Sequence, residues 1–443
     1  MVCRAGFERV VDNAFASMGF PPEAAKYAFP GEMFIPGSDL SPVKQNIDRV
    51  IDGLTRWEPK IKRKMLVAPP KILVEGEDYE DAVANMNNLF LRNLWGDGLP
   101  ITPATRARVN QILKGTDLSP DSIVGEGRIL PGGGIASVEM LAVCLAMAGG
   151  RPEYLPVLIA AIEALIKPSM THQYWTATTG SPTPLVIVNG PVVKQIRLNS
   201  GYGCLGPSPQ FPAGGSIGRA IRFALMNLGG AVPGKGTMSL YGDPSRYTNI
   251  VFGEDEDALP QNWSPFNVEQ GFPPNSNSLT VDTVNFHGSL WVGAASTEEE
   301  MISELQEGAR CISYTLNKPS RKTPGYLLMG RATAQELSKL GWSKEKVKTF
   351  LWDHSRINAP LSRDLQRLIK VMTRGAELQF PIPICDSPDD VKIVVCGGSQ
   401  SGHSYWLEAG IHREEPASTE IKLPAIWDEL LRKAEEDLGP LPN

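Results

Sequence analysis

Apolar residues recur at helical spacing along much of this chain. Phe7, Val10, Val11, Phe15 and Met18 fall on one helical face, and Val43, Ile47, Val50, Ile51 and Leu54 fall on another. They predict a small, partial α/β module over 1–66, with a Pro/Gly-rich extended piece between its helices. KILVEG (71–76) reads as a strand ending at Gly76, and 78–95 as an amphipathic helix stopped by the run from Gly96 to Pro100. Further helices are expected over 103–114, 137–149, 152–167 and 217–230, the last ended by Gly229. The segment 137–149 is apolar nearly all round, so it should be buried.

LVIVNG (185–190) reads as a buried strand. Beyond residue 290 the spacing predicts helices over 296–306, 332–340, 343–356, 360–373 and 424–437, with a strand at VKIVV (391–395). Helices and short strands alternate without an internal repeat, which predicts an α/β or α+β fold with a mixed sheet. The expected organisation is a main domain over 67–290 holding a ligand pocket, completed by 291–443.

Composition narrows the class. Of 443 residues, 43 are Gly and 37 are Pro, together about 18%, beside a hydrophobic fraction of 42%. Average usage of the two is roughly 12%. The apolar content excludes a disordered chain, and the lack of a Gly period excludes a collagen-like one. A net charge of −6 provides no chain-wide positive field, so nucleic acid is not an expected partner. The start lacks an uninterrupted apolar core, and the two most apolar stretches each carry a glutamate, Glu139 and Glu163. A soluble cytoplasmic protein without membrane contact is expected. The six cysteines form no CxxC pair, and the five histidines, His412 among them, show no HxH or HxxxH spacing. Neither a disulfide framework nor a metal site is signalled, and the cofactor is unknown.

Charge is least where small polar residues are densest. Residues 168–218 contain only Lys194 and Arg197 among 51 positions, where the chain-wide 21% corresponds to about 11. A buried connector would look like this, and so would a pocket wall whose backbone N–H groups and hydroxyls meet a ligand.

Three Gly-rich turns could supply such groups. PGGGIAS (131–137) and PAGGSIG (212–218) lead into expected helices, whose free N–H groups suit a phosphate or carboxylate. The second is followed by Arg219 and Arg222 on one helical face; the plainer reading is Ser216 as a cap and two solvated arginines. CGGSQSGHS (396–404) follows a strand, fits neither GxGxxG nor a Walker loop, and brings Cys396, Ser399, Ser401, His403 and Ser404 to a strand end. Asp97, between two glycines in WGDGLPI, is either a turn residue bonded to its own backbone or a carboxylate that orients a base. Asp243, Arg246, Tyr247, Glu254 and Glu256 read mostly as a solvated loop. Cys204, in SGYGCLGPSP, is either an inert buried thiol or a nucleophile.

The ordered series WGDGLPITPAT, GEGRILPGGGIASVEMLAVCLAMAGGRPEYLPVLIAAIEAL, TPLVIVNGP, GSIGRAIRFALMNLGG, PGKGTMSLYGDPSRYT and VVCGGSQSGHS resembles the large domain of UGSC-type (seleno)proteins, over some three quarters of the chain. The resemblance implies thiol or selenol reductive enzymes and redox or carbon–heteroatom bond chemistry. This chain has no UGSC or CGSC tetrapeptide, and it carries Gly150 and Asn267 where the resemblance implies Cys and His. Either a small partner subunit completes the N-terminal module, or the scaffold serves another reaction.

The reading that follows is an enzyme, or the large subunit of a heteromeric one, transforming a small polar or anionic metabolite by carbon–heteroatom bond formation or cleavage. His403 would be the acid or base, Asp97 its orienting carboxylate and Cys204 an assisting thiol. Arg219, Ser216, Gly215, Asn189, Thr179, Ser399 and Ser404 would bind the substrate. The competing reading is a non-catalytic scaffold or ligand-binding subunit of a reductase-like complex.

Overall fold

The computed structural model describes residues 1–17, 20–21, 24, 26–34, 38–58, 71–125, 128–290, 295–315, 323–360, 362–372, 375, 377–410 and 416–441. Met18, His412 and the end of the N-terminal module at 59–66 lie outside the described residues. The strands are β1 (Val2–Arg4), β2 (Tyr27–Phe29), β3 (Thr183–Asn189), β4 (Ile250–Gly253), β5 (Ser278–Leu290), β6 (Gly325–Met329), β7 (Arg356–Ile357), β8 (Ile382–Pro383), β9 (Lys392–Val395), β10 (Ser404–Ala409) and β11 (Ala417–Glu420). Seven of them form one mixed sheet in the order β4-β3-β5-β10-β6-β9, with β11 also on β5. The β3/β4 and β6/β9 pairs are parallel; β5 and β10 run antiparallel to their neighbours. The fold is α/β to α+β with a mixed sheet, and strands from 183–290 and from 325–420 share it.

That sheet is curled. In a flat sheet the β4 and β9 edges would stand about 24 Å apart at the usual strand spacing. Here Asp255, two residues past β4, donates its N–H to the carbonyl of Val395 at the end of β9 at 2.8 Å. Alternate side chains therefore serve two environments. Leu185, Ile187, Phe252, Tyr326, Leu328 and Leu407 meet on the inner face. Val186, Val188, Val251 and Val281 on the outer face pack under the helices Val138–Met147, Leu155–Leu165 and Ala213–Phe223. Leu327, Met329, Ile393, Val395 and Trp406 pack under Glu298–Thr315, Arg331–Lys339 and Lys344–His354. β3 is buried along its whole length, as expected for a strand covered on both faces.

Several expectations change. Residues 71–76 are not a strand, since no strand among the described residues pairs with them. The long central strand β5 contains Asp282, Asn285, His287 and two glycine or serine breaks in its apolar pattern, which hid it from periodicity. The helix expected over 217–230 begins at Ala213, and a π-helical turn covers Ala224–Leu228. Its glycines allow close packing. A Cβ on Gly214 would lie 2.5 Å from the Val251 carbonyl oxygen, and one on Gly218 only 1.6 Å from that of Thr248. Among the described residues no single helix is long and apolar enough to cross a membrane.

Replacing Gly218 by Ala must therefore push the helix off the backbone at 248–251. We expect a loss of about 3 kcal/mol, read as a lower denaturation midpoint with unchanged slope in urea. An unchanged midpoint would contradict this packing.

Candidate functional site

The inner face of the curl opens into a cavity of about 610 Å³ walled by Tyr202, Cys204, Leu328, Cys396, His403 and Tyr405 with neighbouring glycines. Two loops build it. The first, 199–206, is organised by buried Asn199, whose side chain accepts from Gly201 N at 2.9 Å and donates to the Tyr202 carbonyl at 2.9 Å. Turn bonds from Cys204 N to Gly201 O (3.1 Å) and Gly206 N to Gly203 O hold the rest. The second loop leaves β9 at Cys396, whose N–H donates to Met329 O at 3.0 Å, and Gly397 N then reaches Ser200 O at 2.7 Å. Gly398 lies close under its neighbour: a Cβ there would lie 2.4 Å from the Tyr202 ring and the ring would have to shift. The hydroxyls of Tyr202 and Ser399 are bonded at 2.7 Å across the rim.

The loops bring Cys204 and Cys396 together as free thiols. The Cys396 thiol beside it lowers the Cys204 thiol below its ordinary value although burial opposes this. The same contact, then burial and the charges of Cys204, Glu254 and Asp255 push Cys396 well up. The two thiols are thus shifted in opposite directions, Cys204 down and Cys396 up.

A polar chain continues from this cavity. Tyr405 bonds through its hydroxyl to His287 Nδ1 at 2.9 Å, and His287 Nε2 meets Ser245 Oγ at 2.8 Å. Asp243 stands 4.0 Å from His287 Nε2 and accepts from Ser245 N at 2.7 Å. Neither His287 nor Ser245 was singled out by spacing, because residues 42 positions apart are joined only by the fold.

The expected site residues are divided. Cys204, His403, Ser404 and the Gly397–Gly398 turn line the one cavity, and Ser399 sits at its rim. Asp97 does not orient His403. It lies in the walls of two other cavities, and its carboxylate takes Arg219 in a fork, Nε to Oδ2 at 2.8 Å and Nη2 to Oδ1 at 3.0 Å. Arg219 also donates to the Pro100 carbonyl at 2.9 Å, so its guanidinium is spent within the protein. Asn189, buried at the end of β3, donates to Glu254 (2.7 Å) and Glu256 (2.9 Å). Gly215 and Ser216 lie inside the first turn of the helix that begins at Ala213, and Ser216 does not cap it. The Thr179 carbonyl accepts from Leu240 N at 3.2 Å.

The other Gly-rich turn is likewise occupied: Gly132 and Gly134 donate to the carbonyls of Gly229 and Leu228, and the following helix starts only at Val138 with Ser137 as its cap. Within 168–218, the part up to Leu198 is mostly buried connector and strand, Tyr202 to Pro207 line the cavity, and the helix begins at Ala213. His172 is structural, its Nε2 accepting from Leu130 N at 3.0 Å, and burial lowers it toward the neutral form. No group of three or more His, Cys, Asp or Glu among the described residues is arranged to hold a metal ion.

No family model, curated protein or solved structure matches this chain.

Thiol alkylation by iodoacetamide tests the asymmetry. Cys204 should be the thiol that reacts fastest, with its rate rising at a pH below the usual thiol midpoint of about 8.5. Cys396→Ala removes the donor and should move that profile to higher pH, whereas Cys396→Ser, which keeps a donor, should move it less. Identical profiles in all three proteins would show that the pair is not coupled.

Proposed function

We propose that the chain is a thiol-dependent enzyme that forms or cleaves a carbon–heteroatom bond in a small polar or anionic metabolite, working in the cytoplasm. The Cys204–Cys396 thiol pair, shifted in opposite directions at the wall of a 610 Å³ cavity, carries this reading. A buried inert thiol would have its ionisation suppressed, as Cys144 does, pushed up to about 12. The Cys204 thiolate attacks an electrophilic carbon, and the carbon–sulfur bond forms as the carbon–heteroatom bond breaks. The heteroatom leaves with the bonding pair and takes a proton from His403; displacement of the carbon from sulfur by water or a second nucleophile returns the thiolate. Ser404 and the glycine-lined turn at 397–398 bound the space where the substrate's polar end would lie. The resemblance to UGSC-type proteins agrees with thiol chemistry.

Its test is turnover of a panel of small carboxylic acids bearing a leaving group on the α or β carbon, with intact-mass detection of adducts. Cys204→Ser should abolish both adduct and turnover, and His403→Ala should slow turnover by about a hundredfold while adduct still forms. Turnover retained in Cys204→Ser would overturn the mechanism.

A heteromeric setting has its own support. The helix Ile47–Thr55 has no buried residue, and Ile47, Ile51 and Leu54 form an exposed apolar stripe along it. Beside it β1 and β2 form a parallel pair of only three residues each, a sheet too small to be stable alone. We read this module as the docking place of a small subunit. Native mass of the complex purified from its source should exceed that of the chain; a monomer there would remove this part of the proposal.

A further inference from the structure

A second cavity, of about 310 Å³, lies at the far end of the Tyr405–His287–Ser245 chain, and Arg222, Arg246, Ser239, Tyr241, Asp243 and Tyr247 are in its wall. Arg246 is only 7% exposed. Neither its guanidinium nor that of Arg222 donates a hydrogen bond to a described residue, and Arg222 Nε is fully buried without a partner. Buried guanidiniums without partners are rare because desolvation of the charge goes uncompensated.

Electrostatics add to this. Burial and then the charge of Arg222 push Arg246 down to about 10, with Asp243 opposing, and burial lowers Arg222 also. The remaining carboxylate in the wall, Asp97, is already forked by Arg219. Asp243 opposes the downward shift of Arg246 and Asp97 that of Arg222, and Asp243 is itself engaged with Ser245 N at 2.7 Å. With Arg219 counted beside Arg222 and Arg246, three guanidiniums stand against the two carboxylates Asp97 and Asp243, an excess of planar donors.

We propose that this cavity is a binding site for the oxyanion group, phosphate or carboxylate, of a small molecule held between Arg222 and Arg246. The fork of a guanidinium fits either group in two-point contact, and the hydroxyls of Ser239 and Tyr247 stand at the same wall. This is a site separate from the thiol cavity and does not rest on the thiol chemistry. Arg246 lies in a stretch whose sequence looks like a solvated loop, whereas Arg219, beside a Gly-rich turn, is the arginine that the fold neutralises.

Calorimetric titration with inorganic phosphate and with malonate, each at ionic strength matched by sodium chloride, tests it. One saturable site is expected in the wild-type protein and equally in Cys204→Ser. Arg246→Met and Arg222→Met should each weaken it at least about tenfold. If one variant does not fold, the other decides. Saturation by phosphate alone assigns a phosphate-bearing ligand, and by malonate alone a carboxylate-bearing one; saturation by both assigns a site for either group. The proposal is overturned if neither anion saturates the wild-type protein, or if binding is undiminished in the arginine variants. Because Cys204→Ser is read in the same titration, failure here leaves the thiol reading standing, and failure of the thiol reading leaves this one.

Discussion

One buried carboxylate closes the curl on which everything else depends. Glu254, just beyond β4, accepts from Asn189 at the end of β3 (2.7 Å), from Phe266 N (2.6 Å) and from Val395 N of β9 (3.5 Å), and it stands 3.9 Å from the fully buried Lys344. Burial pushes its carboxyl up, with Lys344 as the largest opposing influence. Charges are not buried this deeply without partners, and here the partners belong to β3 beside the β4 edge, to β9 at the opposite edge and to a helix behind the sheet. Removing one member of such a network costs about 3 to 5 kcal/mol. That is a large share of the roughly 5 to 15 kcal/mol that holds a domain together.

Closure has a chemical consequence. It brings the ends of β4 and β9 together, so Cys396, the first residue past β9, lies within reach of the charges of Glu254 and Asp255. Their negative charge favours the protonated thiol there, and a protonated Cys396 can donate to Cys204. The same contacts that seal the sheet thus add to the upward shift of Cys396, after its contact with Cys204 and its burial. Arg331, paired with Asp255 at 2.7 Å, anchors the seam from the other side.

Glycine serves two purposes in this fold. In the helix Ala213–Phe223, Gly214 and Gly218 are spaced by four and let the helix lie directly on backbone. At Gly398 the missing side chain makes room for a tyrosine ring at the mouth of the cavity. Both appear in the sequence as Gly-rich turns beside regular elements. Only the position of the partner backbone or ring tells packing from site.

The chain alone determined the helices and the buried strands β3 and β9, because their periodicity is local and strong. It also marked the cavity's two loops, SGYGCLGPSP and CGGSQSGHS, by their small residues and missing charge. It did not determine β5 or β10, where inward-facing Asp282, His287 and Tyr405 interrupt the apolar alternation. Nor did it determine which polar residues meet. Cys204 and Cys396 are 192 positions apart, Asp97 and Arg219 are 122 apart, and Arg222 and Arg246 belong to a helix and a loop. Hydrophobic burial leaves a pattern along the chain, since each element needs its own apolar face. The pairing of charges, thiols and hydroxyls leaves none, since it depends on distances that exist only after the sheet has curled.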